Sequence, residues 1–118
     1  MTLTSGGVVT ATTFNATSDR TLKDNIKDLD LEYSINLFNK LNPVEYNFKS
    51  EPGRKRFGFI AQEIEKITEN ENLGLHFKDP KGESPQTVCY QELIGPMVKI
   101  INNLLLRVSE LEKIIANK

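Results

Sequence analysis

Tryptophan is absent from this 118-residue sequence, and cysteine and histidine occur once each. A lone Cys89 excludes a disulfide framework within the chain, and its apolar neighbours Val88 and Tyr90 mark it as a buried thiol rather than a reactive one. His76 has no second His or Cys at ligand spacing, which excludes a readable metal site, and no cofactor is expected. No apolar run reaches the roughly 18 residues of a membrane span, and no charged stretch leading into an apolar one marks a secretory leader. Neither sign of charge is in excess: 15 Lys and Arg against 16 Asp and Glu leave a net charge of −1, so no nucleic-acid partner is expected. The one basic triplet, Arg54-Lys55-Arg56, follows Pro52-Gly53 and reads as a solvated hairpin tip. No G-x-x-x-x-G-K-[ST] loop is present to cradle a nucleotide.

What is present divides in three. Residues 1–17 carry no charge, two glycines and threonine at Thr2, Thr4, Thr10, Thr12, Thr13 and Thr17. Val8 and Val9 among β-branched threonines favour short strands, yet so small a segment cannot form its own core and must lean on something else. Charge density rises from Asp19 onward. Asp30 is a candidate N-cap for a helix with Leu31, Ile35 and Phe38 at helical spacing, stopped at Asn42-Pro43. Val44, Tyr46 and Phe48 alternate with polar residues as a half-buried strand, and "RFGFI" follows a turn as its partner. Ile60, Ile64 and Ile67 define a short helix face. Leu73, Leu75 and Phe77 alternate again, "DPKG" turns the chain, and "TVCY" forms a last strand. Tyr46, Phe48, Phe57, Phe59 and Tyr90 are expected in the core. The class is α+β, with small elements around a modest core suited to 38% hydrophobic content.

The C-terminal third has a different pattern. Ile94, Met97, Ile101, Leu104, Val108, Leu111 and Ile115 recur at alternating spacings of three and four, an unbroken a/d heptad pattern. Pro96 is tolerated early in such a helix, which from there to Asn117 is about 33 Å long. A domain this small cannot cover that length, so the stripe is expected to pair with copies of itself. Ile at a with Leu at d favours dimers, whereas Val98, Ile100, Leu105 and Ile114 at e and g widen the face beyond a two-stranded seam. Periodicity therefore indicates an oligomer without fixing its number.

Four stretches, "SDRTLKDNI" at 18–26, "LNPVEYNFK" at 41–49, "GFIAQEIE" at 58–65 and "VCYQELIGPMVKIINNLLLRVSELE" at 88–112, occur in order. Together they resemble the C-terminal intramolecular chaperone domain of phage tail spikes, tail fibres and neck appendages, the endosialidase-type or peptidase S74 domain. The resemblance implies a homotrimer whose long C-terminal helices form a coiled coil through Met97, Ile101, Leu104, Val108, Leu111 and Ile115. It implies that the domain directs folding of an upstream fibre or triple β-helix of the same polypeptide during virion assembly in the host cytoplasm. The chaperone then cuts itself off at Thr17–Ser18, with Ser18 as nucleophile and Lys23 as general base, and the fibre stays in the virion. On this reading residues 1–17 end the fibre, 18–95 form the chaperone domain and 96–118 the trimerisation helix. The natural polypeptide is expected to extend well beyond Met1. The alternative is a non-proteolytic trimerisation module that registers a viral fibre.

The proposed pair makes a structural demand of its own. A serine hydroxyl needs a base within about 3 Å, and a lysine serves only when burial or nearby cations favour its neutral form. Spacing of five sets two side chains about 140° apart on a helix and on opposite faces of a strand. A turn through Asp19, Arg20 and Thr21, anchored by Leu22, is therefore required. Gln62 and Glu63 are expected to be structural, and nothing in the sequence joins Glu45 to Glu63.

Overall fold

The computed structural model describes residues 2–3 and 7–118. It is a mixed assembly of short strands and helices followed by one long C-terminal helix. Strand β1 (Thr2–Leu3) pairs antiparallel with β2 (Val9–Thr10), setting Leu3 opposite Val9. The strand tendency expected of residues 1–17 is met there; Met1 and residues 4–6 lie outside the described residues.

Helix α1 (Leu31–Lys40) begins where the Asp30 side chain, in extended backbone, accepts the Tyr33 amide at 3.0 Å. It ends at Leu41, two residues before Pro43, as the chain signals require. Its most buried face is Ser34 and Leu37, with Leu31, Ile35 and Phe38 half-buried beside it. The Ser34 hydroxyl donates to the Asp30 carbonyl at 2.9 Å, which removes the cost of burying it. Strands β3 (Val44–Tyr46) and β4 (Arg56–Gly58) form an antiparallel hairpin with Glu45 opposite Phe57. Its basic tip is solvated, with Lys55 3.4 Å from Glu45. Helix α2 (Ala61–Ile67) drives Ile64 into the core and closes with the Thr68 hydroxyl on the Ile64 carbonyl at 2.7 Å.

Strands β5 (His76–Phe77) and β6 (Thr87–Val88) pair antiparallel across a turn in which Gly82 has a φ of 69°. The Asp79 carboxylate accepts the amides of Lys81, Glu83 and Ser84 there, which holds its carboxyl below the usual range. A 3-10 turn, Tyr90–Leu93, leads into helix α3 (Ile94–Ala116), so α3 starts two residues ahead of Pro96.

The core is small. Leu37, Ile64, Leu75 and Leu93 are buried, with Tyr33, Phe38, Leu41, Phe59, Ile67, Leu73 and Val88 packed around them. Two sequence expectations need correction. Phe57 is 76% exposed, and Phe48 and Tyr90 lie near half exposure, so of the five aromatics only Phe59 packs against the core, while Tyr46 is half-buried with its ring against Phe48. A two-stranded sheet has no second layer over its outer face, so alternation along β3 and β4 leaves that side open. Cys89 is half-buried rather than enclosed.

Candidate functional site

The turn that the Ser18 and Lys23 spacing demands is a 3-10 turn over Arg20–Leu22. Asp19 caps it: its backbone is extended, and its Oδ1 accepts the Thr21 amide at 2.9 Å and the Thr21 hydroxyl at 2.8 Å. The Leu22 amide then donates to the Asp19 carbonyl and the Lys23 amide to the Arg20 carbonyl, each at 3.1 Å. Lys23 leaves the turn in extended backbone, and its Nζ donates to Ser18 Oγ at 2.6 Å. The two groups that spacing alone would separate are thus in direct contact.

In this arrangement the amine donates to the hydroxyl. Base catalysis reverses the bond, with Ser18 Oγ–H donating to a neutral amine over the same short distance. The Thr21 hydrogen bonds hold the Asp19 carboxyl below its usual range, so it stays ionised across the neutral range and is itself no proton carrier there. Thr17, Ser18 and Lys23 are all exposed. Leu22 is 72% exposed and anchors nothing within its own chain, contrary to expectation; the cap at Asp19 shapes the turn in its place. An Asp with a Thr two residues on is the local signal for that cap.

From residue 7 to residue 30 only Ala11 is even half-buried. Farther along, Asn25 adopts a φ of 55°, a left-handed conformation that asparagine tolerates better than most residues. Glu45 and Glu63 stay apart, Glu45 with Lys55 and Glu63 accepting from Asn42 at 3.3 Å. The His76 ring meets the Gln86 side chain at 2.7 Å.

A second candidate surface lies on α3. Helix α1 packs against α3, and Pro96, Lys99, Ile100 and Asn103 are the half-buried residues along one α3 face. The heptad residues lie on the adjoining face, about 100° round the helix: Met97, Ile101, Leu104, Val108, Leu111 and Ile115 are 43 to 69% exposed. Ile100 therefore belongs to the half-buried face, while Val98, Leu105 and Ile114 remain exposed. No helix among the described residues is long and apolar enough to cross a membrane.

No curated protein matches the chain. The family model described as "Chaperone of endosialidase", peptidase S74, matches residues 18–74, beginning at the serine that Lys23 contacts. Three of the four stretches that carried the resemblance fall inside this match, and the fourth, 88–112, lies beyond it. Over residues 18–74, just under half of its length, the chain is similar to the chaperone of endosialidase family, peptidase S74.

Proposed function

We propose that this chain is an intramolecular chaperone that trimerises through α3, directs folding of an upstream phage fibre or triple β-helix, and releases itself at Thr17–Ser18. Residues 1–17 are then the fibre's end, 18–95 the chaperone domain and 96–118 the trimerisation helix, acting in the host cytoplasm during virion assembly. One observation carries the proteolytic part: Ser18, the first residue of the family match, has Lys23 Nζ 2.6 Å from its hydroxyl.

The chemistry is short. Lys23 Nζ takes the proton as Ser18 Oγ attacks the Thr17 carbonyl carbon. The Ser18 nitrogen then leaves, with Lys23 returning the proton, and Thr17 is held as an ester on Ser18 Oγ. Water hydrolyses that ester, giving a carboxylate at Thr17 and a free amine at Ser18.

Trimerisation is supported by surface. The chain exposes 10291 Å², more than half as much again as the roughly 6,500 Å² of a compact monomer of 13.4 kDa. An exposed stripe along an α3 about 35 Å long is the natural place to recover it.

The direct test is the mass of the purified chain under denaturing conditions. The expected result is a fragment beginning at Ser18, absent from the Ser18→Ala protein. A Ser18→Ala chain cut at the same place refutes the assignment. The second reading, a trimerisation module without proteolysis, draws on the exposure of both groups in the single chain. It predicts a stable oligomer of uncut chains.

A further inference from the structure

The geometry points to Asp19 as a positioning residue that, by clasping Thr21, folds the chain so that Lys23 reaches Ser18. This inference deepens the proposed self-cleavage and rests on it.

The argument is one of reach. Between Ser18 and Lys23 lie four residues, all exposed, with no apolar packing of their own chain to fix their course. What fixes it is a set of four hydrogen bonds. Two run from Thr21, amide and hydroxyl, to the single oxygen Oδ1 of Asp19, and two are the backbone bonds from Leu22 and Lys23 that close the 3-10 turn. The side-chain pair comes first in the chain and sets the extended-to-helical change at Asp19 that the backbone bonds require. Without it, a three-residue 3-10 turn in water has little to hold it. The Lys23 amine then samples many positions, and the advantage of a base held in contact with its nucleophile is lost. Asp19 touches neither Ser18 nor Lys23 by a side-chain hydrogen bond; its effect passes through the backbone. The depressed carboxyl described above agrees, because it is the Thr21 bonds that depress it.

The test compares Asp19→Ala with Asp19→Asn in the full chain. Alanine removes the acceptor; asparagine keeps an acceptor oxygen but no charge. Cleavage of the Asp19→Ala protein is expected to slow roughly 5- to 30-fold, the rate equivalent of losing a cap. Its melting temperature and oligomer mass should stay those of the parent. Asp19→Asn should cut within about twofold of the parent, with the same pH dependence, because an acceptor suffices for a cap. Asparagine as slow as alanine would show that the charge acts rather than the turn, and alanine at the parental rate would show no role at all. Either result overturns the inference.

A second measurement keeps the clasp testable even if the chain never cuts itself. In the Ser18→Ala protein, the Thr21 amide proton should follow the titration of the Asp19 carboxyl by NMR, with a midpoint below the ordinary carboxylate value. A Thr21 amide indifferent to that titration removes the clasp. An uncut parent with a responsive Thr21 amide instead removes the proposed proteolysis and leaves the turn standing.

Discussion

Lys23 and Ser18 set the chemistry, and their identities allow little substitution. Lys23→Arg should leave the chain uncut, because a guanidinium does not give up its proton near neutral pH; intact mass after prolonged incubation is the check. Tyr33 offers a pH prediction of a different kind. Burial, then the hydrogen bond its hydroxyl donates to Glu71 at 2.7 Å and the Glu71 charge, push its pKa up to about 12 from an ordinary 10. The folded state therefore holds the proton that the unfolded chain loses first. The stabilisation is intact below pH 10 and is lost as pH rises towards 12. Denaturant midpoints should fall across that window in the parent and fall less in Tyr33→Phe. Tyr90 and Gly58 form a coupled pair: the Phe59 amide donates to the Tyr90 hydroxyl at 3.1 Å, and a Cβ at Gly58 would run into that same hydroxyl. Gly58→Ala should cost about 1–3 kcal/mol. Adding Tyr90→Phe should recover part of that cost, a non-additivity that a double-mutant cycle measures.

At the scale of elements, the order and kind of structure were legible because each helix and hairpin carries its own local signals. Asp30 with Pro43 brackets α1, Pro52-Gly53 separates β3 from β4, and the spacing of three and four writes out α3. Replacing Asp30 with Ala should cost about 1 kcal/mol through the lost cap, read by thermal melting. The aromatics were the weak point. Alternation along Val44, Tyr46 and Phe48 reports that a strand has an apolar side without saying what lies against it. Phe57, beside Arg56 and Gly58, stands 76% exposed in the single chain. The Ser18 to Lys23 contact was legible only as a requirement, since periodicity ruled out helix and strand without naming the turn. The cap that meets the requirement depends on one Asp oxygen bonded two residues ahead, a geometry that composition does not record. On α3, heptad counting gave Ile100 the same weight as Val98. Only packing against α1 separates the half-buried face from the open one.

The whole molecule is extended for its size. Its radius of gyration is 18.6 Å, where a compact chain of this length has about 13.5 Å, and its longest dimension is 61 Å. Among the described residues, four buried apolar side chains make a thin core, and the exposed α3 stripe is a reserve of further burial. Putting Asp at Leu104 should place an unpaired charge in the shared seam and dissociate the oligomer. The proposed protease has the same need for neighbours. Lys23 and Ser18 are exposed in one chain, while a lysine base requires desolvation or nearby cations, which adjoining copies and residues such as Arg20 would supply. Cleavage should therefore slow with dissociation, and the Leu104→Asp protein should remain largely uncut over a range of concentrations. Monomers cutting at the parental rate would show Ser18 and Lys23 to be self-sufficient. Native mass spectrometry of the purified parent chain reads assembly and scission together. The account predicts three copies of a chain beginning at Ser18, with any retained 1–17 peptides lost on activation. A single uncut chain of 118 residues as the sole species would contradict it.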